Sequence, residues 1–196
     1  GWATSCQRWS GSPRKRSGLA DAIAWSPAPA ATAEAFLDEC LRQGVTTAAV
    51  YGTVHPQSVT AFFAAAERRG LRMIAGKVWM DRNAPPALQD TAQSAYDDSK
   101  ALIAEWHGKG RQHYAITPRF AITSSPEQME MTGALMREFP DLHMQTHLSE
   151  NHAEIAFTQE LYPWSRDYTD VYEHYGLLGK RTLLGHCIHL DERESD

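Results

Sequence analysis

Residues 45–80 read VTTAAVYGTVHPQSVTAFFAAAERRGLRMIAGKVWM, and this stretch decides the fold. Val45 to Tyr51 is a short apolar run with β-branched residues, which reads as a buried strand. From about Pro56 to Arg69 the pattern turns helical, and Gly70 stops it. Leu71 to Met80 is then a second strand, again without the polar alternation of a half-exposed one. A strand, a helical crossover and a second strand, joined by short connections, predict a parallel pair.

The same rhythm continues on both sides. Upstream, a helix is predicted from Thr32 to Gln43, with Ala33, Phe36, Leu37, Cys40 and Leu41 on one face and Gly44 as its C-cap. Downstream, a helix from roughly Thr91 to His107 is followed by Gly108 and Gly110, then a strand from Tyr114 to Thr117. Next come a helix from Pro126 to Phe139 with Ser125 as N-cap and a strand from His143 to His147. Helices at Ala153–Leu161 and Asp167–Tyr175 precede a last strand, Thr182 to Leu190. Five strands in alternation with helices predict an α/β fold, either an open doubly wound sheet or part of a (β/α)8 barrel. No G-x-G-x-x-G follows any strand, so the main sequence support for a dinucleotide fold is missing. A whole barrel takes about 250 residues. A barrel reading of this 196-residue chain therefore means a partial TIM barrel.

Residues 1–31 stand apart, rich in Ser, Gly, Arg, Pro and Ala, with Trp residues in no period. They are expected to be a disordered or non-native segment, with Arg14-Lys15-Arg16 as a solvated basic run, ahead of a barrel domain over residues 32–196. The first residue is Gly, which reads as a piece of a longer protein or a processed product. A net charge of -5 gives no basic footprint for nucleic acid, and no apolar run is long enough to span a membrane. Cys6, Cys40 and Cys187 are odd in number and far apart, so the expectation is no disulfide framework and a cytoplasmic setting.

In a barrel the active site lies at the C-terminal ends of the strands. Those ends are polar throughout: Tyr51-Gly52-Thr53-Val54-His55, Lys77 with Met80-Asp81-Arg82-Asn83, Thr117-Pro118-Arg119-Phe120, His147-Leu148-Ser149-Glu150-Asn151, and Gly185-His186-Cys187-Ile188-His189. A lone histidine near a strand end is most often a satisfied structural residue, but repetition at equivalent positions points to a shared cavity. His147-x-x-Glu150 is the sharpest signal. A neutral imidazole at a strand end suits a zinc ion, and a carboxylate three residues on can reach the same cavity as a general acid/base. The bland alternative is a hydrogen-bonded histidine and a capping glutamate. Arg119 can offer a planar fork to a carbonyl and a ring nitrogen, and Phe120 can stack on a flat ring. The alternatives are a surface ion pair and a core contact.

The order and spacing of these motifs resemble the guanine deaminases of the metal-dependent amidohydrolase superfamily. The stretch Met144-Gln145-Thr146-His147-Leu148-Ser149-Glu150-Asn151 is similar to that family's HxSEN segment, and the likeness runs on through Leu161-Tyr162-Pro163 to Gly185-His186. Gly76-Lys77-Val78-Trp79-Met80-Asp81-Arg82-Asn83 and Thr117-Pro118-Arg119-Phe120 match the same family upstream. The resemblance covers roughly Ala31 to Asp191. It implies strands 2–6 of an amidohydrolase barrel that converts guanine and water to xanthine and ammonia in purine catabolism. By motif, His147 would be a ligand of zinc (Zn2+), with His186 near the metal and its water as second ligand or catalytic partner. Glu150 would be the proton shuttle, while Arg119 and Phe120 hold the purine. The resemblance also implies a homodimer for the complete enzyme.

The family's His-x-His of strand 1 and its strand-8 Asp have no counterpart here. The expectation is therefore an incomplete and inactive piece of the enzyme. Two alternatives stay open: a related amidohydrolase acting on another ring, such as a pterin, triazine or other purine, and a non-catalytic fragment. The cytidine-deaminase-like fold is excluded, because it needs His-x-Glu and a later Pro-Cys-x-x-Cys.

Overall fold

The computed structural model describes residues 28–195, so Arg14-Lys15-Arg16 and most of the leading segment lie outside the described residues. Helix α1 spans Ala28–Arg42. Strand β1, Thr47–Tyr51, is followed by α2, Pro56–Arg68, and by two collinear strand pieces, β2 at Arg72–Gly76 and β3 at Val78–Trp79. Helix α3, Ala92–Trp106, leads to β4, Gln112–Pro118, and helix α4, Pro126–Glu138, to β5, His143–Leu148. Helices α5 (His152–Leu161) and α6 (Tyr168–His174) precede β6, Thr182–His186, and a short α7 at Glu192–Ser195.

Among the described residues every strand pairing is parallel, in the order β1-β2-β4-β5-β6, with β3 also on β4. Adjacent strands lie about 4.8 Å apart, so three steps across a flat sheet would separate β1 from β5 by roughly 14 Å. Instead, the Gln145 side chain of β5 donates to the Val50 carbonyl of β1 at 2.9 Å. The Tyr51 and His147 rings are 4.4 Å apart. The sheet is thus curled, which decides between the two expected architectures: it is a partial (β/α)8 barrel and not an open doubly wound sheet.

The helices pack on the convex face. In α2 the residues Val59, Phe62, Phe63 and Ala66 recur at helical spacing and are buried. They join Leu37, Met73, Trp106, Tyr114, Met129, Leu135 and Tyr172 in one core. Burial of a large apolar side chain contributes on the order of 1.5–3 kcal/mol. Gly70 ends α2 as expected: at φ 65° its N–H meets the Glu67 carbonyl, while the Leu71 N–H reaches back to Ala66. Ser125 caps α4 by accepting from the Gln128 N–H at 3.1 Å.

Three boundaries differ from the sequence reading, each for a local reason. Helix α1 starts at Ala28, before the expected Thr32, because Pro29 is tolerated in a first helical turn. The expected strand 71–80 is broken at Lys77. Gly76 lies so close to β4 that a Cβ on it would sit 1.7 Å from the Ala115 carbonyl oxygen. That carbonyl accepts from the Thr117 hydroxyl, and the ladder resumes only at Val78. The last strand stops at His186, not Leu190, because His186 and Cys187 take left-handed backbone angles of 74° and 53°.

Candidate active site

On β5 the side chains of His143, Gln145 and His147 share the concave face, while Met144, Thr146 and Leu148 face the helices. His147 is anchored there by its Nδ1, 2.7 Å from the Arg119 carbonyl oxygen. A carbonyl only accepts, so Nδ1 carries the proton and Nε2 keeps its lone pair. Metal-ligating histidines typically have their second nitrogen fixed in this way. Burial is the main influence holding His147 below its ordinary pKa, with the Arg119 and His186 charges adding to it, so the neutral form is favoured. The same Arg119 carbonyl also accepts from the His147 N–H at 3.1 Å.

Arg119 and Phe120 follow β4. The Arg119 N–H donates to the Trp79 carbonyl at 3.3 Å, and its Nη1 donates to Met80 Sδ at 3.4 Å. The guanidinium lies 5.5 Å from the Phe120 ring centre. Phe120 is buried, with its ring edge-on to His147 at 6.1 Å. His186, at the end of β6, stacks on His147 with ring centres 5.4 Å apart. Its Nε2 is 3.7 Å from Glu150 Oε2, with Glu150 part-buried and His186 exposed. The structure therefore brings His147, His186, Glu150, Arg119 and Phe120 together at the C-terminal mouth of the sheet. Ser149 and His186 both adopt positive φ there, at 50° and 74°. Non-glycine residues in that region cluster where a site imposes strain.

Asn151 is a structural member of the motif: it caps α5 by accepting from the Glu154 N–H at 3.0 Å. Two residues near the site carried no assigned role in the sequence reading. Tyr51 lies against the His147 ring, and burial pushes its phenol up in pKa, which keeps it neutral. Its place at a polar strand end was the available signal. Glu154 is 2 % exposed, and burial, then the Glu150 charge, raises its pKa. A carboxylate in a helix's first turn looks like a solvated residue in sequence, and Glu154 stood out only as part of the stretch that resembles the family.

Zinc finds a partial fit. His147 offers Nε2 and His186 stands beside it, but among the described residues no three His, Cys, Asp or Glu side chains form a metal cage. No helix among the described residues is long and apolar enough to cross a membrane.

The profile of the amidohydrolase family matches residues 27–196. The chain belongs to the amidohydrolase family. It is 58 % identical to the guanine deaminase of Escherichia coli K12 over 161 residues, which cover 82 % of this chain and 37 % of that protein. The solved structure of E. coli guanine deaminase superposes with a TM-score of 0.85 at 55 % identity, over 86 % of this chain and 40 % of that one. Guanine deaminase from C. acetobutylicum, solved with guanine in its active site, gives a TM-score of 0.80 at 31 % identity over 86 % of this chain and 42 % of that one. The chain thus spans little more than a third of the E. coli enzyme's length.

Proposed function

We propose that this chain forms the purine-gripping and proton-transfer part of a zinc-dependent guanine deaminase, which hydrolyses guanine to xanthine and ammonia in purine catabolism. The observation that carries the reading is the double use of Arg119. Its carbonyl fixes the tautomer of His147, while its guanidinium stands beside Phe120 at the same strand mouth. A metal ligand and a planar, cationic donor fork are thereby held in one rigid unit. Similarity to guanine deaminases on both sides of that unit supports guanine as the substrate.

His147 would hold zinc through Nε2, with His186 adjacent. Zinc, when bound, supplies a Lewis acid that makes water acidic enough to lose a proton near pH 7. Glu150 would take one proton of the attacking water to the ring nitrogen beside the amino-bearing carbon, and would pass the second to the amino group as it leaves as ammonia. His186 steadies the tetrahedral centre through a hydrogen bond, and Arg119 holds the carbonyl edge of the purine while Phe120 packs on the ring. A cytoplasmic location is supported by Cys40 and Cys187, which are free thiols. A homodimer follows from the family resemblance.

The test is ammonia release from guanine, with xanthine as the co-product, by purified protein carrying this chain. Turnover that depends on Glu150 supports the reading. A protein that binds zinc yet leaves guanine untouched and deaminates another heterocycle overturns it.

A further inference from the structure

Lys77 is only 1 % exposed, on the stretch between β2 and β3. Burying an ammonium is costly unless it is paired, and an apolar side chain of similar size commonly does at least as well for stability. Its Nζ is paired with Asp90 Oδ2, itself 8 % exposed. The other Asp90 oxygen accepts from the Met80 N–H at 3.2 Å and from Gln128 Nε2 at 2.9 Å. The Asp90 N–H donates in return to the Met80 carbonyl at 2.7 Å. Asp90 and Met80 therefore clasp each other in both directions and close the base of the loop between them.

That loop is laced to the turn after β4. The Asp81 N–H donates to the Thr123 carbonyl at 3.0 Å, Asn83 Nδ2 to the Ile122 carbonyl at 2.8 Å, and Arg82 Nη2 to the Ala121 carbonyl at 3.0 Å. The Asp81 carboxylate accepts from the Ser125 N–H at 2.7 Å and from its hydroxyl. Met80 then meets Arg119 directly, sulfur to guanidinium. One chain of contacts runs from a buried charge pair, through the Met80 backbone, to the group assigned to the purine.

We propose that Lys77 and Asp90 form a positioning latch that sets where Met80, and through it the Arg119 guanidinium, stands against the purine. The inference rests on the guanine reading of the site. Lys77 touches no substrate in this scheme and acts only through Asp90.

Steady-state kinetics on guanine in the protein carrying this chain separate the latch from a merely structural pair. Asp90→Asn keeps the shape and removes one charge. It should raise KM about tenfold, the loss of roughly one well-aligned charge-assisted hydrogen bond, with kcat little changed. Lys77→Met should act in the same direction. Gln128→Met, a milder change, keeps the test open if the charge variants fold poorly, and should raise KM less. Thr182→Val is the control: it removes the hydrogen bond from the Thr182 hydroxyl to the Leu177 carbonyl, far from the latch, and should lower Tm while leaving KM unchanged. Calorimetric binding of guanine reads the same shift without turnover. If Asp90→Asn and Gln128→Met lower Tm as the control does but leave KM and guanine affinity unchanged, the pair is structural only and the latch is wrong. If the unmodified protein neither binds nor deaminates guanine, the reading of the site fails, and the latch fails with it.

Discussion

His143 opens β5 and His147 stands four residues on, on the same concave face of the same strand. Their surroundings differ in every respect that matters for chemistry. At the upper end, His147 has its Nδ1 locked on a carbonyl, a carboxylate and a second imidazole close by, and strained backbone on both flanking loops. At the lower end, His143 has a buried Nδ1 with no hydrogen-bond partner. It packs edge-on to His113 at 6.3 Å, which packs edge-on to His107 at 5.7 Å. Arg72 and Arg181 add positive charge there, and the carboxylate of Asp141 reaches only the outer histidine, His107. One end fixes a tautomer and gathers opposite charges. The other is an imidazole plug for the barrel floor, kept neutral by burial and by its cationic neighbours. Residue type and strand face are shared; the second nitrogen's partner makes the difference.

The largest expected effect tests the upper end. Glu150→Gln preserves shape but removes the base, so kcat should fall about 10²–10⁴-fold, the usual worth of a general acid–base group. Near-normal turnover would leave Glu150 as an ordinary loop carboxylate beside His186. Metal analysis then contrasts the two ends of β5 directly. After dialysis, His147→Ala should lose whatever zinc the protein retains, whereas His143→Ala should keep it. Equal losses would erase the distinction drawn between them. Arg119→Lys keeps charge but loses the planar fork. KM for guanine should rise about 10- to 100-fold, as expected for a lost charge-assisted hydrogen bond, with zinc content unchanged.

The smallest effect belongs to the lower end and is read as stability against pH. His113 and His143 have folded pKa values below the ordinary 6.5. The unfolded chain therefore binds protons first as pH falls. Their contribution to stability is fully present above about pH 6.5 and is lost as pH drops through the folded values. His55 and His147, lowered mainly by burial, add the same sign. Thermal melts between pH 7.5 and 5.5 should show Tm falling by a few degrees. Replacing His113 and His143 together by Gln should flatten that fall. A melt curve as steep as before would mean that the floor histidines carry no linkage.

Much of the fold was legible because it is written locally. Apolar β-branched runs gave the strands, and Ser125 and Gly70 gave a helix start and a helix stop, since caps depend on neighbours within a few residues. The site motif was legible for the same reason: His147 and Glu150 sit on one strand end and the loop after it. The break at Lys77 was not legible, because it follows from how near Gly76 comes to Ala115, thirty-nine positions along the chain. Nor was Asp90, a loop carboxylate with no motif around it, whose partners Lys77, Met80 and Gln128 lie on other segments.

By itself, the sequence determined a parallel α/β chain, its family likeness and the residue types at each strand mouth, because propensity, periodicity and motif spacing are properties of neighbouring residues. Only the tertiary structure decided that the sheet curls, that Tyr51 meets His147, and that the Arg119 carbonyl meets His147 while its guanidinium lies beside Phe120. These depend on contacts between residues far apart in the chain. Such contacts exist only once burial has offset the entropy of bringing the segments together.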